Sequence, residues 1–515
     1  MTSAYVLASL DDLGIDHRTG FWGAGPEPGD GGQMVQVVRN GDIRPIGVVN
    51  AATCPVRRFT PRELEDSELR SGDVLVTTSG EPGKSAYWGG PQGFAASNFV
   101  RRLRPPDATI GKYLFYFLRS QPSKEAFARH SRGVAIKNLS RQFWDELRVP
   151  VRGVGDIAET VAAIESLFTR LDDAVASLER VRTKLKAYRA SVLKAAVEGR
   201  LVPTEASLAS AEKRDYEPAG AVLARILKER RRRWEEAGLA KFKAAGKAPK
   251  DDKWKAKYEE PVAPDTDTLP ELAEGWCWAT VDMLASVKGG LTKGQRRDAK
   301  DVLLDVPYLR VANVQRGYLD LQEVKTIKAT RDEVEELRLE PGDVLFNEGG
   351  DRDKLGRGWI WSGEIDDCVH QNHVFRARIF NADYEPRLLS WYGNSSGQRY
   401  FFDEGKQTTN LASINMTKLK ALPVPIPPKS EQARIADEVE RVLSVADENA
   451  VTIENDIKRC LRLRQAVLKW AFEGKLVDQD PADEPPETLL ARIRAERAAI
   501  APVKKNGGHR AKGAA

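Results

Sequence analysis

YRASVLKAAVEGRLV at residues 188 to 202 returns 275 residues later as LRQAVLKWAFEGKLV at 463 to 477, with nine of the fifteen positions identical. Two such stretches at one offset read as a tandem duplication, and the same offset exposes further pairs. LRSGDVLV at 69–76 matches LEPGDVLF at 339–346, SNFVRR at 97–102 matches QNHVFR at 371–376, and PAGAVLARILKER at 218–230 matches PPETLLARIRAER at 485–497. Val149, Pro150 and Val151 answer Val424, Pro425 and Ile426. A period this long is far above that of solenoid repeats, so each copy should be a globular unit plus a helix. Two copies of one unit can form a pseudo-twofold molecule, which suits a target in two parts.

The helix is written in the apolar spacing. Ile157, Val161, Ile164, Phe168, Leu171, Val175, Leu178, Val181, Leu185, Tyr188 and Val192 recur every three or four residues with no proline among them. About 43 residues at about 1.5 Å each predict a rod of about 65 Å. Ile435, Val439, Val442, Ala446, Ile453, Ile457, Cys460 and Val467 trace the same seam in the second copy, and Gly199 and Gly474 stand where helix-ending glycines belong. A seam this long leaves an apolar edge wet unless covered, so the two helices are expected to pack on each other, antiparallel; the alternative is that each folds back on its own domain.

Composition agrees with two ordinary cores. The chain has 515 residues, 41% hydrophobic and 30% charged, with a net charge of only +5. Residues 1–150 carry Gly, Pro and β-branched clusters and read as mixed α/β, with a helix over Tyr113 to His130. No apolar run is long enough for a membrane span and no secretory signal is visible, which makes the cytoplasm the expected compartment. The four cysteines, Cys54, Cys277, Cys368 and Cys460, are too scattered for a zinc ribbon or a disulfide framework. Residues 228–257 hold twelve Lys/Arg against five Asp/Glu, and KERRRRWEE with KDDKWKAKYEE could contact phosphate. A solvated helix or a docking arm fits that segment as well. The final KKNGGHRAKGAA reads as a disordered tail.

Catalytic motifs are missing. TSGEPGKS at 78–85 invites a phosphate-loop reading, but Thr78 stands where the first glycine is needed, and AYWGGPQG cannot supply the helix that follows. His370 and His373 have loose metal-ligand spacing without a third ligand, and the first copy has Ala96 and Phe99 instead. The Pro-Pro pairs do not form the Asn/Asp-Pro-Pro-aromatic loop that a base methyltransferase needs. What the chain offers is polar loops. Lys84 and Ser85 are answered in the second copy by Arg352, Lys354 and Arg357, and RGVAIKNLS at 132–140 by KQTTNLASIN at 406–415. Lys and Arg suit guanine or phosphate, Asn and Gln suit adenine. The candidate DNA contacts are thus Lys84, Ser85, Asn98, Arg132, Lys137 and Asn138 in the first copy. In the second they are Arg352, Lys354, Arg357, Asn372, Lys406, Gln407, Thr408 and Asn410. A solvent loop that merely closes the domain is the alternative. The scaffold agrees between copies while these polar residues differ, as two readers of different short sequences would.

The order of these parts, with the opening LPELAEGWCWATVDML at 269–284, the PVPIPP exit and the helix ending VLKxAxEGxLV, resembles the specificity subunit of type I restriction-modification systems. The resemblance implies two target recognition domains at 1–152 and 269–428. It also implies two long helices at 153–202 and 429–478, a charged, partly helical linker at 203–268 and a C-terminal segment with its tail at 479–515. It implies a non-catalytic chain that holds no cofactor itself. Its partners would be double-stranded DNA with a split recognition sequence, two methyltransferase subunits binding S-adenosylmethionine, and ATP-using restriction (translocase) subunits. The alternative is a coiled-coil scaffold that never touches DNA. One departure from the family pattern is visible: MTSAYVLASLDDLG lacks the LPxGW-type opening of the second copy, so the first domain's edge is expected to differ or to lean on the C-terminal segment.

Overall fold

A computed structural model of the chain describes residues 5–25, 32–133, 137–294, 300–350, 354–407, 412–478 and 484–500. The expected tail, KKNGGHRAKGAA, lies outside the described residues. The contacts separate into two compact units, Met1–Arg180 with Ile453–Ala515, and Val181–Thr452. The architecture is mixed α/β in both, and each repeats the other's plan. In the first unit a four-stranded sheet runs Asp16–Thr19, Val100–Arg104, Val74–Thr77, Ser85–Tyr87. In the second the order is Ala285–Lys288, Val374–Ile379, Val344–Asn347, Gly358–Ile360. The repeated GDVL segment is the third strand each time, and Val74–Thr77 and Val344–Asn347 are buried throughout because both faces are covered.

A three-stranded sheet lies beside it in each unit, Val56–Phe59, Gln33–Val38, Phe94–Ala96 in one and Lys325–Ala329, Leu304–Leu309, Val369–His370 in the other. The matching depends on close backbone contact. A Cβ on Gly20 would stand 1.9 Å from the Ala96 carbonyl oxygen, and one on Gly290 would stand 1.8 Å from that of His370. Only glycine fits at either place. Each domain is tied shut by its ends: Val6–Ala8 pairs with Val149–Val151, and Cys277–Thr280 with Pro423–Ile426. The second arginine of the SNFVRR motif and the arginine of QNHVFR are buried frame elements. Arg102 donates to Asp16 Oδ2 at 2.5 Å, and Arg376 donates to the carbonyls of Glu336 and Arg338.

The expected helix over Tyr113 to His130 is in fact two, Ala108–Leu118 and Gln121–His130. Asp107 caps the first from Oδ1 onto the Thr109 and Ile110 amides, so it starts earlier than the apolar pattern suggests. Pro122 at the start of the second forces the break.

The long helices are Val154–Val197 and Lys429–Phe472, each of 44 residues. Gly199 and Gly474 follow them with φ of 68° and 71°, the left-handed backbone that ends a helix. They run antiparallel. Within the first unit Asp172 meets Arg464, while Arg152, just before the first helix, donates to the carbonyl of Val477, just after the second. Within the second unit Arg189 meets Asp447 and Glu205 meets Arg434 at 2.7 Å. The seam is narrower than its spelling suggests. Ile157, Val161, Ile164, Val442, Ala446, Ile453 and Val467 are buried, but Val181 and Tyr188 are about half exposed, at 49% and 51%. A single neighbouring helix covers one stripe and leaves its flanks in water.

Each domain is completed by the helix end of the opposite copy. In the first unit Val467, Leu468, Ala471 and Phe472 join the core that holds Leu10, Ile15, Tyr113 and Phe117. The helix Pro486–Ile500 adds Leu489, Leu490 and Ile493 to the same core, and Arg494 meets Asp12 at 2.5 Å. The first domain, whose sequence lacks the LPxGW-type opening of the second, thus leans on the C-terminal segment as expected. In the second unit Val192, Ala196 and Val197 enter the core with Val222 and Ile226 of the helix Ala219–Ala244. That helix extends beyond the expected Val222 to Glu236 at both ends, and Val222 and Ile226 are fully buried.

Candidate nucleic-acid interface

The two polar segments singled out in each copy come together on one small sheet. In the first unit Ser131–Arg132 pairs with Lys137–Leu139, which pairs with Ser79–Gly80. In the second unit Lys406–Gln407 pairs with Ala412–Ser413, which pairs with Gly349–Gly350. Segments more than fifty residues apart thus share hydrogen bonds at the same place twice. Arg132, Lys137 and Asn138 are exposed on this sheet, and Asn98 is exposed in the turn beside it. Asn372 holds the equivalent turn and is half-buried.

The loop from 78 to 84 is shaped by its own polar groups. The Thr77 amide donates to the Lys84 carbonyl and the Gly83 amide to the Thr77 carbonyl, both at 2.9 Å. The Thr77 hydroxyl donates to the Glu81 carbonyl at 2.6 Å, and Lys84 Nζ lies 2.5 Å from Glu81 Oε2. The Lys84 ammonium holds the Glu81 carboxyl below its ordinary range. In the second unit the Asn347 amide donates to the Arg357 carbonyl and the Gly356 amide to the Asn347 carbonyl. Arg357 therefore stands where Lys84 stands, and the second loop is the longer one.

Burial trims the candidate set. Ser85 lies inside the strand Ser85–Tyr87 at 2% exposure, so its hydroxyl cannot meet a ligand in this fold. The strand at this point also disposes of the phosphate-loop reading, which needs a helix. Arg357 is half-buried and donates through Nη2 to the Val311 carbonyl at 3.3 Å, which makes it a loop brace. Lys354 is half-buried. Lys406 and Gln407 contribute backbone pairing, while Arg352, Thr408 and Asn410 lie outside the described residues.

The sequence pattern does not single out Lys124. It lines a cavity of about 480 Å³ with Gly80, Gly83, Phe127, Ser131 and Lys137 beside the first small sheet, and burial lowers its pKa. Its signal is weak, a single lysine on a helix that the apolar pattern merges with another.

The histidines separate. His370 is fully buried, its ring nitrogen 2.6 Å from the Val374 carbonyl, and burial pushes its pKa down to about 4, so it is a neutral core residue. His373 is exposed, with Nδ1 2.6 Å from Glu348 Oε2. No group of three or more His, Cys, Asp or Glu side chains suited to a metal exists among the described residues. No helix among them is long and apolar enough to cross a membrane. The basic run of the linker is internally neutralised: Arg232 and Arg233 pair with Glu229, Arg231 with Glu235, and Arg230 reaches Asp282. Trp234 stacks on Trp254 at 5.5 Å.

Residues 291–459 match the family model described as the type I restriction modification DNA specificity domain. The EcoKI specificity subunit of Escherichia coli K12, a type I restriction enzyme component, is 22% identical over 86% of this chain and 85% of its own. Over most of its length the chain is similar to the specificity-subunit family of type I restriction-modification systems. The StySPI specificity subunit of Salmonella potsdam aligns almost as widely, at 23% identity over 85% of this chain and 84% of its own. A solved structure described as "Structural basis underlying complex assembly and conformational transition of the type I R-M system" shares the fold, with a TM-score of 0.57 at 14% identity. The match covers 92% of this chain and 99% of the solved one. Members of this specificity-subunit family are non-catalytic, and recognition of a DNA target is their role.

Proposed function

We propose that this chain reads a DNA target in two parts, one part per domain, and directs methyltransferase and restriction subunits to it. Residues 1–152 and 269–428 would be the two readers, the helices within 153–202 and 429–478 the frame between them, and 203–268 and 479–515 the segments that complete each domain. The observation that carries this reading is the repeated small sheet. Its backbone pairing agrees between copies, while its residues differ, with Arg132, Lys137 and Asn138 on one and Lys406 and Gln407 on the other. Arg and Lys would meet guanine or phosphate and Asn or Gln adenine, while Lys84, Asn98, Lys354 and Asn372 flank the same surface. Arg352, Thr408 and Asn410 complete the proposed set.

Two linked half-sites gain affinity over either alone through effective concentration, and the helix length would select the number of unread base pairs between them. Leu461, Leu463 and Trp470 project from the second long helix at 58%, 40% and 51% exposure, apolar surface of the kind that docks a partner subunit. S-adenosylmethionine and ATP would be carried by the partners, and the complex would work in the cytoplasm.

The test is footprinting of the chain assembled with its methyltransferase subunits, together with mapping of methylated positions in the host genome. One split motif with a fixed gap is expected; binding indifferent to sequence overturns the reading. Charge reversal at Arg132 and Lys406 should weaken DNA binding and leave subunit assembly intact, whereas a scaffold that never touches DNA would lose neither.

A further inference from the structure

The two small sheets share one hydrogen-bond frame down to single atoms, which lets side chains be compared position by position. The Thr78 amide donates to the Phe99 carbonyl at 2.9 Å, and the Thr78 carbonyl accepts from the Leu139 amide at 2.8 Å. The Glu348 amide donates to the His373 carbonyl at 3.0 Å, and the Glu348 carbonyl accepts from the Ile414 amide at 2.8 Å. Positions 78 and 99 therefore correspond to 348 and 373. The residue before the turn position is asparagine in both, Asn98 and Asn372.

At these matched places the chemistry is opposite. Phe99 is 48% exposed at the tip of its turn, with Thr78 beside it. In the second domain the His373 and Glu348 side chains are 55% and 29% exposed, with ring nitrogen and carboxylate 2.6 Å apart. The Asn372 amide nitrogen lies 3.5 Å from the other ring nitrogen. An Asn372 amide facing Nε2 and a Glu348 carboxylate facing Nδ1 set the tautomer: Nδ1 carries the proton and donates to Glu348. That chain aims the carboxylate, whose other oxygen has no side-chain partner among the described residues. A single exposed phenylalanine is ordinary on any surface. Here it sits on the edge that also presents Arg132, Lys137 and Asn138, and its counterpart, His373, is the residue that orients an acid.

We propose that Thr78 with Phe99, and Glu348 with His373, are the specificity-determining pairs of the two domains. Phe99 and the Thr78 methyl group offer apolar contact to the 5-methyl group of a thymine in the first half-site. Glu348, positioned by His373, accepts a hydrogen bond from the N4 amino group of a cytosine in the second. In the major groove these are the two base features that such side chains distinguish. The assignment rests on the two-part reading of DNA proposed above, and goes beyond it by naming the pairs and the bases.

Transplanting one pair onto the other frame tests it: Thr78→Glu with Phe99→His in the full chain, assembled with its methyltransferase subunits and assayed on a library of split sites. One base pair of the first half-site should change its preference toward cytosine, or lose discrimination by roughly tenfold or more, with the second half-site unchanged. Retention of the second half-site shows that the variant is folded. Phe99→Leu, a milder change, should weaken the same base pair, and serves if the double variant does not assemble. Conversely Glu348→Gln should relax one base pair of the second half-site only. Unaltered preference at both half-sites in variants that still bind overturns the assignment while the two-part reading stands. If the unaltered complex prefers no split site, both fall together.

Discussion

The two domains solve one folding problem with the same backbone and different finishing pieces, and the contrast shows which parts of a sequence are free to diverge. The first domain receives Phe472 edge-on against Tyr113 at 5.2 Å and Phe117 at 5.3 Å, an apolar closure. The second is closed around a polar centre. The Trp276 indole donates to Glu431 Oε1 at 3.0 Å and the Glu205 amide to Glu431 Oε2 at 2.8 Å, with Glu431 wholly buried. Burial raises the Glu431 pKa above the ordinary carboxylate value. Both closures recruit the helix end of the opposite copy, so the duplication is sustained by exchange, each half of the sequence finishing the other's fold. What stays constant is the set of buried strands, close-contact glycines and helix ends. What varies is which polar groups line the junction and which residues stand on the small sheet.

The largest difference between the domains should appear on removing residues 479–515. Leu489, Leu490 and Ile493 leave the first core, a loss of roughly 5 kcal/mol or more at about 1.5–3 kcal/mol per buried aliphatic side chain. Hydrogen exchange should show the first unit opening while the second keeps its protection; equal loss in both would break the contrast. Phe472→Ala removes one aromatic from the same junction and should cost about 3–5 kcal/mol in denaturant titration, again confined to the first unit.

A smaller, pH-dependent difference belongs to the second domain. Burial holds His370 neutral, its pKa lowered from 6.5 to about 4, where the first domain has Ala96 at the matching strand position. A lowered folded value means that the contribution is complete above the unfolded pKa and is lost as pH falls toward the folded one, up to about 3 kcal/mol between those two values. Acid titration of exchange protection should therefore unfold the second unit first, and His370→Ala should remove that slope. Smallest of all, Gly199→Ala should destabilise by about 1 kcal/mol, since the backbone is left-handed at φ 68° and the new Cβ would press on Ala273. Thermal unfolding of the second unit measures it.

Much of the scaffold is legible in the order of the residues. The seam from Ile157 to Val192 predicts its helix within a few residues at either end, because periodicity and a terminal glycine are local signals. The pairing of 131–139 with the 78–84 loop is not legible, since strands of two or three residues carry no periodicity. Ser85 reads as a phosphate or base ligand in a polar string, yet strand alternation turns it inward. Pro122 marks a break in the helical pattern, and the apolar residues on both sides mask it.

The duplication and the two long helices follow from the amino-acid order alone, because repeated apolar spacing and shared motifs constrain any fold the chain can adopt. Which polar residues meet on one surface, and which copy completes which domain, is settled by long-range packing. Those contacts join segments as far apart as Asp12 and Arg494, and no local pattern encodes a pairing at that separation.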